Sequence, residues 1–312
     1  EFLFERGAPR RNAEIAYVLG ERSITSMPMN THLEHYPDQF EQLYEKDGSV
    51  TNRVPTRFMI DGEVHQNAFV RWGRCGAPVD WILAEDLKDH LGDYKLYVFA
   101  HQFKYDDAFR GVVERLREKG ATILWCYAPG WSKGATSSLE NMRELTGIEF
   151  ARVKDDVRAG VTMKDDGRFL GAFDKVTPLF TPLNPDKVIG TYDNGEPGLA
   201  TFRQGNARVV YSGPWRQDLR FCHSLMRSAG VFVYSDSTDP VEANEKLVML
   251  HARFAGRKTV RLPRKADVVD VFARRIVARD ADSFAFDAPL HSTHLFYYGD
   301  GADELLERLN AA

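Results

Sequence analysis

The 312-residue chain reads as an α/β protein with a doubly wound, mostly parallel sheet carrying a β-rich insertion, followed by a small antiparallel β-domain. Three observations predict this. Up to Gly147, apolar strand-like runs alternate with helix-period patterns, the order that builds parallel crossovers. From Ile148, turn signals such as Asp155-Asp156, Asn184-Pro185-Asp186 and Asp193-Asn194-Gly195 separate short alternating segments. After Asp239 the helical period disappears until the last residues.

Residues 1–12 carry Arg6, Pro9, Arg10 and Arg11 without periodicity and read as a linker. Glu14 to Leu19 is the first strand. The long polar and aromatic stretch from Ser26 to Tyr44 exceeds an ordinary connection, as functional or interface loops do. A helix is expected over Thr56 to Trp72, a strand over Val79 to Leu83 and a helical turn over Asp86 to Leu91. The organising unit is Tyr94 to Gly130. Lys95 to Ala100 is a buried strand, and Asp106 and Asp107 place negative charge where a helix dipole favours it. Phe109, Val112, Val113 and Leu116 form one apolar stripe, Lys119-Gly120 ends the helix, and Thr122 to Tyr127 is the next strand. Ser138 to Thr146 is a helix closed by Gly147. Beyond the β-rich stretch come a strand over Ala207 to Ser212, a helix over Trp215 to Ala229 and a strand over Val231 to Tyr234. The β-domain is expected to use Lys246–His251, Lys258–Leu262, Asp267–Val271, Arg274–Ala278, Ser283–Phe286 and Thr293–Tyr298, with a terminal helix from Asp303 to Leu309. The expected domains are residues 13–238 and 239–300, with residues 301–312 closing the chain.

Composition excludes several function classes. Lys plus Arg number 41 against 45 Asp plus Glu, for a net charge of −4, so nucleic acid finds no electrostatic footprint. No apolar run approaches the roughly 20 residues that span a bilayer. Three scattered cysteines, Cys75, Cys126 and Cys222, build neither a disulfide framework nor a zinc site and fit a reducing compartment, with the cytoplasm favoured. The first residues lack a secretion signal, and the absent initiator Met leaves a longer precursor open.

A parallel sheet places binding loops at the carboxyl ends of its strands, here Gly20–Thr25, Ala84–Glu85, His101–Tyr105 and Ala128–Trp131. A nucleophile elbow would sit at the last of these, but Ala128 occupies the nearest position and Cys126 falls within the strand, where burial is the expected role. Gly130-Trp131-Ser132-Lys133-Gly134 lacks Walker spacing, and Gly20-Glu21-Arg22-Ser23 lacks the dinucleotide fingerprint. His32 and His35, and His291 and His294, are spaced by three and do not form a metal motif; no metal or cofactor is expected. Phe103, Tyr105 and Trp131, at loop tips, are the candidate contacts for a sugar or a neighbouring subunit.

The runs GAPVDWILAEDL, DYKLYVFAHQF, VVERLREKGATILWCYAPG and SLENMRELTGI resemble the flavodoxin-like trimerisation domain of family 42 glycoside hydrolases (β-galactosidases), a domain related in fold to class I glutamine amidotransferases. YSGPW, RSAGVFVYSD and LVMLHARFAGRKTVRLPRKADVVDVFARRIVARD resemble the end of that domain and the small C-terminal β-domain. The resemblance spans roughly residues 13–298 and implies a homo-oligomer, a trimer first, that acts on carbohydrate. In that family a (β/α)8 barrel supplies the catalytic glutamates. No barrel lies in these residues, residues 1–12 are read as its last remnant, and no catalytic residue carries over. The expectation is a non-catalytic, oligomerising part of a glycoside hydrolase. The alternatives are an amidotransferase-like cysteine hydrolase using Cys126, or a carbohydrate-binding scaffold.

Overall fold

The computed structural model describes Glu5 and residues 9–23, 68–154 and 157–311. The stretch from Ser26 to Tyr44 with His32 and His35, the Asp155-Asp156 turn and most of the helix expected over Thr56 to Trp72 lie outside them. The chain divides into two compact units, one made of Ala16–Phe69 and Trp81–Asp218, the other of Glu1–Ile15, Val70–Asp80 and Leu219–Ala312.

In chain order, the elements up to residue 147 are β1 (Ile15–Leu19), α1 (Ala68–Trp72), β2 (Val79–Leu83), β3 (Leu96–Phe99), β4 (Lys104–Tyr105), α2 (Asp107–Glu118), β5 (Thr122–Cys126), β6 (Ser132–Lys133), β7 (Thr136–Ser137) and α3 (Leu139–Thr146). There follow β8 (Phe150–Arg152), β9 (Arg158–Met163), β10 (Phe169–Lys175), β11 (Phe180–Pro182), β12 (Lys187–Thr191), β13 (Pro197–Gln204) and β14 (Ala207–Ser212). A nine-stranded sheet has the order β10-β9-β12-β13-β14-β5-β3-β1-β2. The β14–β5 and β5–β3 pairs are parallel, whereas β13–β14, β12–β13, β9–β12 and β9–β10 are antiparallel. The sheet is therefore mixed, and the β-rich stretch extends the main sheet by four strands.

The central crossover forms for the reasons its sequence gives. The Asp106 carboxylate accepts the Phe109 amide at 2.9 Å and caps α2, and Phe109, Val112, Val113 and Leu116 are all buried. Gly120 takes a left-handed backbone at the helix end, with φ of 78°. On β3 and β5, Phe99 stacks on Trp125 with ring centroids 4.4 Å apart, and every residue of both strands is buried. The smaller ladders are β4-β6-β7 and β8-β11.

The other unit contains α4 (Leu219–Ser228), β15 (Val241–Ala243), β16 (Leu247–His251), β17 (Gly256–Asp270), β18 (Arg275–Ala288), β19 (Thr293–Tyr297) and α5 (Ala302–Ala311). Its five strands order as β15-β16-β19-β17-β18, and the pairs are antiparallel. Val248, Leu250, Val260, Val268, Phe284 and Phe296 form its core. Leu305 of α5 packs with Val269 and Tyr297 in a second cluster.

Two expectations change. The four segments expected between Lys258 and Phe286 are two long strands, because Asp280-Ala281-Asp282 is a register shift inside the β17–β18 ribbon and not a turn. Asp280 absorbs the irregularity with φ of 42°, and its amide is held by the Asp267 carboxylate at 2.9 Å. Val231 to Tyr234 is not a strand. Its backbone bonds are scattered, with the Tyr234 amide donating to Gly76 at 2.8 Å and the Arg261 amide to Tyr234 at 2.7 Å, so no ladder forms.

Candidate functional site

The carboxyl ends of β1, β2, β3 and β5 carry four loops. They brace one another through specific bonds. The Gly20 amide donates to Nε2 of buried His101 at 3.0 Å, and the Lys104 amide donates to the Ser23 hydroxyl at 3.0 Å. After β5, the Gly130 amide reaches the Gln102 carbonyl and the Ser132 amide reaches the Phe103 carbonyl, each at 2.8 Å.

At the end of β5 the strained elbow residue is Tyr127 rather than Ala128: its φ is 61°, a left-handed backbone that a bulky side chain adopts only when its surroundings hold it. The surroundings are aromatic. The Tyr127 ring meets Phe103 edge-on at 5.8 Å and Trp215 at 5.5 Å, and lies 6.0 Å from Phe180. Its hydroxyl donates to the Pro178 carbonyl at 2.9 Å, and the Tyr211 hydroxyl donates to the Tyr127 carbonyl at 2.7 Å. Tyr127 and Tyr211 are fully buried, and burial drives both phenols well above their ordinary pKa. Gly213, at the end of β14, belongs to the same seal. A Cβ there would sit 1.8 Å from the Tyr192 hydroxyl oxygen, so the ring fills the space a side chain would need.

Cys126 precedes the elbow and points into the core. Its thiol is fully buried and lies 3.2 Å from the Gln217 amide nitrogen, and burial pushes its pKa up to about 12. At neutral pH it stays protonated and beyond the reach of substrate. The turn after β5 therefore shares the left-handed backbone of a nucleophile elbow, but it leads into β6 and not into a helix, and its strained residue carries no nucleophile.

The three aromatic candidates are placed as follows. Phe103 is 1 % exposed, its ring spent on Tyr127. Tyr105 is 5 % exposed, its hydroxyl 3.1 Å from both the Asn141 carbonyl and the Glu144 carboxylate, whose other oxygen holds Lys133 at 2.7 Å. Trp131 is half-buried, 5.3 Å from Phe180, with the Arg152 guanidinium 5.3 Å over its ring. Trp131 alone of the three keeps appreciable solvent exposure, while Tyr105 turns one edge to a cavity.

That cavity, of about 580 Å³, is the feature the sequence pointed to only by position. Gly20, Ala84, Glu85, Gln102 and Lys104 bring the ends of β1, β2 and β3 to it, and Phe109, Val112 and Arg115 of α2 form a wall. Three of the four loops expected to bind thus converge, whereas the Ala128–Trp131 loop does not reach it. Among the described residues, no group of three or more His, Cys, Asp or Glu is arranged to hold a metal ion, and no helix is long and apolar enough to cross a membrane. His294 lies between Phe286 and Phe296, with Nε2 2.8 Å from the Ser292 hydroxyl.

The fold so described is shared with part of a class of glycoside hydrolases. The chain superposes on a β-galactosidase from Bacillus circulans sp. alkalophilus with a TM-score of 0.61 and 15% identity, covering 94% of this chain and 42% of that one. For a catalytic mutant of a family 42 β-galactosidase from G. stearothermophilus the TM-score is 0.60 and the identity 17%, over 93% of this chain and 40% of the other. An α-L-fucosidase isoenzyme from Paenibacillus thiaminolyticus matches at 0.51 and 12% identity, over 93% and 49%. The chain spans less than half the length of each. At these identities the likeness establishes the fold. No family model and no curated protein matches the sequence.

Proposed function

We propose that this chain is the non-catalytic, oligomerising portion of a β-galactosidase-like glycoside hydrolase. The observation that carries the reading is the filled elbow. A position that could expose a nucleophile instead holds buried Tyr127, locked by Phe103, Phe180 and Trp215. The fold likeness to about two fifths of family 42 β-galactosidases supports assigning it to a subdomain of such an enzyme. The strand order β2-β1-β3-β5-β14 is the 2-1-3-4-5 order of flavodoxin-like sheets, which supports a doubly wound, flavodoxin-like domain of the kind that trimerises in that family. Trp131, half-buried at a loop tip, is the residue of the original three best placed to touch a neighbouring subunit or a sugar. Cys126 supplies no second reading, since its thiol is enclosed. Size-exclusion chromatography with light scattering tests the proposal. The expected particle contains three chains, and a strictly monomeric chain at micromolar concentration contradicts it.

A further inference from the structure

We propose that the cavity at the carboxyl ends of β1, β2 and β3 is a binding site for a small organic anion with an apolar or aromatic body and a hydrogen-bond donor. This inference stands apart from the oligomeric role, and three observations carry it.

The first is shape and lining. A space of about 580 Å³ falls within the range of small-molecule sites, and it lies outside the carboxyl ends of strands where the order reverses between β1 and β3. Phe109 and Val112, both buried along α2, give it an apolar wall.

The second is charge. Lys88, Lys104 and Arg115 line the cavity, and among the described residues none of them makes an ion pair. Arg22 is there too, but it is 3.2 Å from the Asp106 carboxylate that caps α2. Among the described lining residues Glu85 and Asp106 stand against these four cations, so those residues carry a net +2 (4 − 2) in a chain whose net charge is −4. Lys88, Lys104 and Arg115, without ion-pair partners among the described residues and beside an apolar wall, favour an amphiphilic anion over a neutral sugar.

The third is an unpaired acceptor. Gln102 is 4 % exposed, and its Oε1 is buried with no hydrogen-bond partner. The amide cannot be turned over to cure this, because Nε2 donates to the Lys104 carbonyl at 2.7 Å and the flipped group would set oxygen against oxygen. A buried, unsatisfied acceptor is costly, and a ligand hydroxyl or N–H that reaches it as the wall moves aside recovers that cost. Gly20, on the same wall, packs its backbone close to that oxygen: a Cβ at residue 20 would lie 2.7 Å from it.

The probe for this site is 8-anilinonaphthalene-1-sulfonate, which combines an aromatic body, an N–H and an anionic group. Titrated into the full chain and followed by its fluorescence, it is expected to saturate at one molecule per chain. Charge reversal at Lys104→Glu with Arg115→Glu is expected to weaken binding by at least about tenfold. Ala108→Trp, a change at an exposed residue of the lining, fills the cavity without touching the core and is expected to do the same. N-phenyl-1-naphthylamine, which lacks the sulfonate, is expected to bind at least about tenfold more weakly than the sulfonate. Absence of saturable binding, equal affinity for the two probes, or binding unchanged in Ala108→Trp overturns the proposal. Circular dichroism of each variant separates loss of the site from loss of the fold.

Discussion

Tyr127 holds a strained backbone at the end of β5 inside an aromatic cluster. A left-handed backbone at a non-glycine residue costs about 1–2 kcal/mol, whereas deleting a buried aromatic side chain costs about 3–5 kcal/mol. Packing therefore outweighs strain, and Tyr127→Gly is expected to destabilise the protein by about 2 kcal/mol or more although it relieves the backbone. Tyr127→Phe removes only the bond to the Pro178 carbonyl and should cost about 1 kcal/mol. Urea unfolding checks both values, and a stabilised glycine variant would show that the ring is not held as described. The neighbouring thiol gives a pH signature. Burial raises Cys126, and also Cys75, from 9.0 to about 12. A folded-state pKa above the unfolded one means that the contribution is complete below about pH 9 and is lost as the pH climbs toward 12, because the unfolded chain releases its protons first. Stability should fall across that window, and iodoacetamide at neutral pH should modify Cys126 only at the rate of unfolding. Rapid labelling of the native protein would contradict a buried, protonated thiol. Residue-scale reading of the sequence placed Cys126 in a strand correctly. It put the elbow at Ala128 because the chain direction of a strained turn cannot be read from residue types when the strained residue is a tyrosine.

Elements were legible where local chemistry and pattern agreed. Both α2 and α3 carry their own start and stop signals: Asp106 and Ser138 accept the amides three residues on, and Gly120 and Gly147 follow with left-handed backbones. Ser138→Ala is accordingly expected to cost about 1 kcal/mol in thermal or urea unfolding, since the Asn141 amide, 3.1 Å from the hydroxyl, loses its acceptor. A loss below a few tenths would mean that the cap does not matter. The β17–β18 ribbon misled for the opposite reason. Asp-Ala-Asp is ordinary turn chemistry, but here a bulge consumes it, and nothing short of the pairing partner distinguishes the two. Likewise the stretch between β8 and β14 announced strands without announcing their sheet, because edge pairing depends on neighbours distant in sequence. The cavity was visible only as a set of loop positions. Lys88, Lys104, Gln102 and Arg115 are common residue types at irregular spacing, and only the convergence of β1, β2, β3 and α2 makes them a group.

At the scale of the whole molecule, two compact units carry a mixed nine-stranded sheet and a five-stranded antiparallel sheet, an arrangement found in part of several glycoside hydrolases. In the proposed reading these residues hold an enzyme together and leave bond cleavage to another part of it. In that reading the turn after β5 carries no exposed nucleophile, because aromatic packing closes it around Tyr127. The measurement that bears most directly on that claim is hydrolysis of nitrophenyl β-galactoside by these 312 residues alone. The account predicts no release of nitrophenol above the buffer rate across pH 5–8, roughly the range in which most folded proteins are stable. Steady turnover that co-purifies with the chain would contradict it and place a catalytic centre within this sequence, at Cys126 if Cys126→Ala abolishes the turnover and elsewhere if it does not.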